Sequence, residues 1–144
     1  MCLVVYLAAD RPLPLIPWDE NARGFHVTEL AGEKDEPVRG QFTKPHVYYA
    51  GSQLICGCGF NYGQSPESED DPLELALKAK TLRDMSEYLA RALEDGGTIE
   101  LFACWEGDQA APPEHRRELT PDSFGEDGFV FEEKELILVR GSVG

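Results

Sequence analysis

One stretch, Pro72 to Asp95, sets the terms for the whole chain. In it Leu75, Ala79, Leu82, Met85, Leu89 and Leu93 recur at spacings of three and four, which on an α-helix forms a single apolar stripe. Asp71 stands where an N-cap belongs and Pro72 suits the first helical position. Gly96 and Gly97 follow as a stop. Glu69, Asp70, Asp71 and Glu74 gather at the positive end of the helix dipole, so this acidic run reads as a helix start rather than a cation site. An amphipathic helix must bury its stripe against another layer, and the other apolar runs all have strand character.

Those runs surround the helix in sequence. Cys2 to Ala9 (CLVVYLAA) is almost continuously apolar and β-branched, which predicts a buried central strand. Phe25 to Leu30 alternates apolar with polar, as a half-exposed strand does. His46 to Gly51 and Thr98 to Trp105 read as two more strands. The tail offers Phe129 to Glu132 and Leu136 to Arg140, a hairpin turning at Glu133 to Glu135. TPDSF reads as a capped single turn, and EGDQAAPPEHRRE as a polar connector. The expected fold is therefore α+β: residues 1–144 form a single domain whose mostly antiparallel or mixed sheet carries one long helix on one face.

The segment DRPLPLIPWDENARG breaks this pattern. Pro12, Pro14 and Pro17 remove ladder donors and favour extended geometry, while Leu13, Leu15, Ile16 and Trp18 are too apolar to stay in water. A strap across the domain surface is expected, and Leu13 to Trp18 is also a candidate docking segment for a protein partner.

Charge narrows the partners. Asp and Glu number 27 against 13 Lys and Arg, a formal net charge of −14. Such a field repels nucleic acid and anionic membrane surfaces. No run approaches the roughly 20 apolar residues of a membrane span. With no basic leader before the opening strand, an acidic cytoplasmic protein with reduced cysteines is expected.

The candidate chemistry lies in LICGCGFNYG, where Cys56 and Cys58 flank Gly57. In an extended strand these residues stand roughly 6.6 Å apart, too far for sulfurs on one metal at bonds of about 2.3 Å. The segment must turn, and Gly57 and Gly59 make a turn accessible through positive φ. With Cys104 from one strand and Cys2 from another, the chain can present four thiols to zinc, a closed structural site, or line a small-ligand pocket. His46 is a substitute ligand, with His26 and His115 behind it. The opposing view is that all four are ordinary buried cysteines, packing as small apolar side chains, a view that suits Cys2 and Cys104 in their strands better than Cys56 and Cys58 among glycines. A redox pair is disfavoured, because Lys44 is the only Lys or Arg between Arg39 and Lys78.

A different chemistry attaches to Cys2. If Met1 is removed, the freed α-amine can act as base for the Cys2 thiol, and MCLVV resembles the opening of N-terminal-nucleophile hydrolases. Those enzymes are four-layered αββα sandwiches, which one long helix does not supply. Finally, PLPLIPWDE, KPHVYYAGS and CGCGFNYG together resemble a small family of uncharacterised bacterial proteins. The resemblance implies a bacterial single-domain protein and transfers no functional residue.

Overall fold

The computed structural model describes residues 2–63 and 71–141. Six strands form one sheet in the order β2-β3-β1-β4-β6-β5. They are β1 (Leu3–Ala9), β2 (His26–Glu29), β3 (His46–Gly51), β4 (Thr98–Trp105), β5 (His115–Leu119) and β6 (Glu135–Arg140). All neighbours run antiparallel except β5 and β6, which are parallel. Every residue of β1 is buried, as an unbroken apolar run requires of a central strand covered on both faces.

The two faces are sealed differently. Leu3, Val5 and Leu7 of β1 point to the face covered by the helix α1 (Pro72–Ala92), where Leu82, Met85 and Leu89 meet them in one cluster. Val4, Tyr6 and Ala8 point to the other face and pack with Val38, Phe102 and Cys104. Val38 belongs to a 3₁₀ segment, Glu36–Gln41, that lies over this second face. A buried hydrogen bond from the Tyr6 hydroxyl to Asp35 Oδ1, 2.6 Å, ties that cover to the central strand.

The helix starts as expected: the Asp71 carboxylate accepts the Leu73 N–H at 2.9 Å. It stops at Ala92 rather than Asp95, and Gly96 and Gly97 both take φ of +90° in the turn that follows. Only the second half of its stripe is core. Leu82, Met85, Leu89 and Leu93 are buried, whereas Leu75 is 39% exposed and Ala79 is exposed. Periodicity defines a face but not how far the sheet extends beneath it. Glu69 and Asp70 lie outside the described residues.

The chain end departs from expectation. Phe129 to Glu132 is not a strand, and no tail hairpin forms. Beside β4, the second partner of β6 is instead His115–Leu119, drawn from the expected polar connector. This edge strand is mostly exposed and carries no apolar alternation to betray it. Phe129 and Phe131 enter the core, stacked nearly perpendicular at 4.9 Å, with Phe124 beside them.

The proline strap is present and largely committed to the fold. Leu13 is buried, and Ile16 exchanges two backbone hydrogen bonds of 2.9 Å with Val27. Trp18 packs edge-on to His26 with ring centres 4.9 Å apart. Of Leu13, Leu15, Ile16 and Trp18, only Leu15 stands well out, at 51% exposure.

Candidate metal centre

The thiol loop begins where β3 ends. The Ser52 backbone N–H and its hydroxyl both donate to the Cys56 carbonyl, and the Ile55 N–H donates to Ser52 O at 3.0 Å. The Gln53 amide reaches across to the Gly59 carbonyl at 2.9 Å. This small closed loop turns the chain before Gly57, and a 3₁₀ turn, Gly57–Asn61, carries it away.

The fold-back does not come from positive φ at glycine. Neither Gly57 nor Gly59 has one; the residue in the left-handed region is Ile55, at φ 76°. For a β-branched side chain that conformation is strained. The glycines serve close approach instead. A Cβ on Gly57 would sit 3.0 Å from the Leu3 carbonyl and the Val5 side chain, and one on Gly59 would meet Ser52 Oγ at 2.1 Å. Gly51 is tighter still, with His26 Nε2 at 2.0 Å and the Ile55 carbonyl at 2.4 Å from the same point. The sequence pointed to Gly57 and Gly59 but not to Ser52, Gln53 and Ile55, whose roles are hydrogen bonds and a backbone conformation inside the loop that no motif marks.

Seated this way, the loop meets the start of β1. The sulfurs of Cys2, Cys56 and Cys58 all lie within 4.8 Å of one another, all half-buried. The Leu3 N–H donates to Cys58 Sγ at 3.2 Å, fixing one thiol against the strand. A tetrahedral ion with bonds of about 2.3 Å holds its sulfurs about 3.8 Å apart, so a small inward movement forms a ligand set. Burial pushes the Cys56 thiol up to about 12; the Cys58 backbone N–H opposes the rise, while the Cys58 and Cys2 thiols add to it. Nearby, burial raises the Tyr49 hydroxyl, with further contributions from Cys56, Asp35, Cys2 and Glu106. The surroundings are thus acidic; Lys34 is mostly exposed and paired with Glu106 at 3.7 Å.

The other candidate ligands are elsewhere. Cys104 is fully buried in the second-face cluster, opposite Val4 in register, and does not join the group. Its apolar packing is that of a small hydrophobic side chain, and burial pushes its thiol up to about 12. His46 pairs with Ala9, at the far end of β1 from Leu3, about 20 Å away at the rise of a strand. His26 is held by Trp18 and by Gly24 O at 3.0 Å from Nδ1. His115 lies exposed at the start of the edge strand β5. The closed site of four protein ligands is therefore replaced by three thiols, with no fourth His, Cys, Asp or Glu joining them among the described residues.

The thiols do not line the large cleft beside the strap. That cleft, about 930 Å³, lies between the strap and α1, with Leu13, Ile16, Phe25 and Tyr88 on its walls and Lys80 and Arg91 at its rim. The αββα layering of N-terminal-nucleophile hydrolases is also not seen, since the described residues form one sheet and one α-helix. Met1 lies outside those residues. Among the described residues no helix is long and apolar enough to cross a membrane. No family model, no curated protein and no solved structure matches the chain.

Proposed function

We propose that the protein binds one thiophilic metal ion, of which zinc is the first to test, through Cys2, Cys56 and Cys58. The observation that carries this is the convergence of three sulfurs from two distant segments within 4.8 Å. Convergence of this kind needs the Gly51, Gly57 and Gly59 approaches and a strained Ile55, features that packing of small apolar side chains does not require. Three protein ligands leave the fourth position of a tetrahedral ion to water or to a small exogenous ligand, the arrangement of a reactive rather than a purely structural zinc. The sheet and the buried residues of both cores are built without these thiols, Cys58 only flanking the helix-side cluster, so the fold does not depend on the ion.

The test is metal analysis of the reduced, untagged protein after zinc loading and desalting. About one ion per chain is expected, falling to background in Cys56→Ser and Cys2→Ser and unchanged in Cys104→Ala. Retention of zinc by the Cys56→Ser protein, or its loss from Cys104→Ala, contradicts the assignment.

A further inference from the structure

We infer that the three-thiol site takes a trivalent arsenic or antimony centre in preference to a divalent metal, an inference that rests on Cys2, Cys56 and Cys58 acting as one ligand set. The donor count argues for it first. The group holds three sulfurs and no fourth His, Cys, Asp or Glu among the described residues. Zinc asks for four ligands. A trivalent arsenic or antimony centre is complete with three, because its lone pair occupies the remaining direction, and it shares the preference of soft ions for thiolate sulfur.

Charge argues for it independently. A divalent ion on three thiolates leaves one net negative charge in a half-buried site. That charge would sit near Asp35 and Glu106, whose influence reaches the adjoining Tyr49, in a chain already at −14. A trivalent centre on three thiolates is neutral and adds nothing to that repulsion. The reactant is neutral as well, since arsenous acid at neutral pH is an uncharged trihydroxide. It can therefore enter a negative field without the repulsion that an oxyanion would meet.

The binding step balances without an oxidant or a base. As(OH)₃ and three R–SH give As(SR)₃ and three waters: three As–O and three S–H bonds break, three As–S and three O–H bonds form. Arsenic stays trivalent throughout. Each thiol proton leaves in a water molecule. Because Cys2 precedes β1 while Cys56 and Cys58 flank Gly57 after β3, the product also clamps two chain segments together.

The experiment uses the full-length reduced protein with arsenite, read by native mass and by counting free thiols. One arsenic per chain is expected, with a mass gain of one arsenic atom less three hydrogens. Three of the four cysteines should become blocked. Cys56→Ser and, separately, Cys2→Ser should weaken binding by at least the roughly hundredfold that loss of even an outer-shell partner can cause. Cys104→Ala should leave it unchanged. In competition, arsenite should displace equimolar zinc. Blocking of only two thiols, or displacement of arsenite by equimolar zinc while zinc still loads at one ion per chain, overturns this inference and leaves the metal site standing. If neither zinc nor arsenite binds to folded protein, both proposals fall together.

Discussion

Cys104 and the Cys56–Gly57–Cys58 loop show how differently one side chain is used in two regions of this molecule. Cys104 sits in a strand, fully buried among Val4, Tyr6 and Phe102. Cys56 and Cys58 sit in a loop, half-buried, with another thiol in reach. Burial raises the thiol of Cys104 and that of Cys56 alike, each to about 12. Burial by itself is therefore no sign of chemistry. The difference is in what surrounds the sulfur: apolar packing in one place, other sulfurs held there by close backbone approach in the other.

The comparison breaks most visibly at the backbone of the loop. Gly51→Ala forces a Cβ onto His26 and onto the Ile55 carbonyl, and should destabilise by about 3 kcal/mol. Gly40→Ala, where a Cβ meets nothing within 4 Å, should stay within about 0.5 kcal/mol in the same urea titration. Equal midpoints for the two variants would remove the close-approach account. Next in size, Cys104→Ser buries a hydroxyl among apolar neighbours and should cost about 2 kcal/mol. Cys56→Ser, half-exposed, should cost less than about 1 kcal/mol in metal-free protein, so that denaturation and metal retention rank the two variants in opposite orders.

A smaller effect should have the opposite sign. Ile55→Asn keeps φ at 76° with a residue that tolerates the left-handed region, and Ile55 is already 57% exposed. A gain of about 1 kcal/mol is expected from relieved strain; a loss would show that the Ile55 side chain has a packing role. Smallest is the alkaline arm. An unfolded Cys104 thiol ionises from its ordinary value of 9.0, whereas the folded one keeps its proton to about 12. The unfolded chain thus releases its proton first, and stability is lost as pH rises from about 9 towards 12. By pH 9.5 the Cys104 share should be about 0.8 kcal/mol. It should disappear in Cys104→Ala, seen as a shallower fall of stability with pH.

Much of the frame was legible without coordinates. The helix over Pro72–Ala92, the buried β1 and the strands β3 and β4 all announce themselves, because each alternates or sustains apolar character in step with its own geometry. The edge strand β5 did not, since a mostly solvent-exposed strand has no burial contrast to write into its residues. Phe129 and Phe131 misled for the related reason that aromatic residues suit a core whether or not they lie in a strand.

The amino-acid order alone determined that this chain has one amphipathic helix, a sheet to cover, an acidic surface and two thiols separated by glycine. Local physics suffices for these, since periodicity, capping and composition act between near neighbours along the chain. Which thiols meet was decided only by tertiary structure. Cys2 lies fifty-four positions before Cys56, and as a candidate ligand at an apolar strand run it reads the same as Cys104. Pairing β1 with β3 brings the loop over the start of β1, and the absence of side chains at Gly51, Gly57 and Gly59 lets it come close enough for the sulfurs to converge.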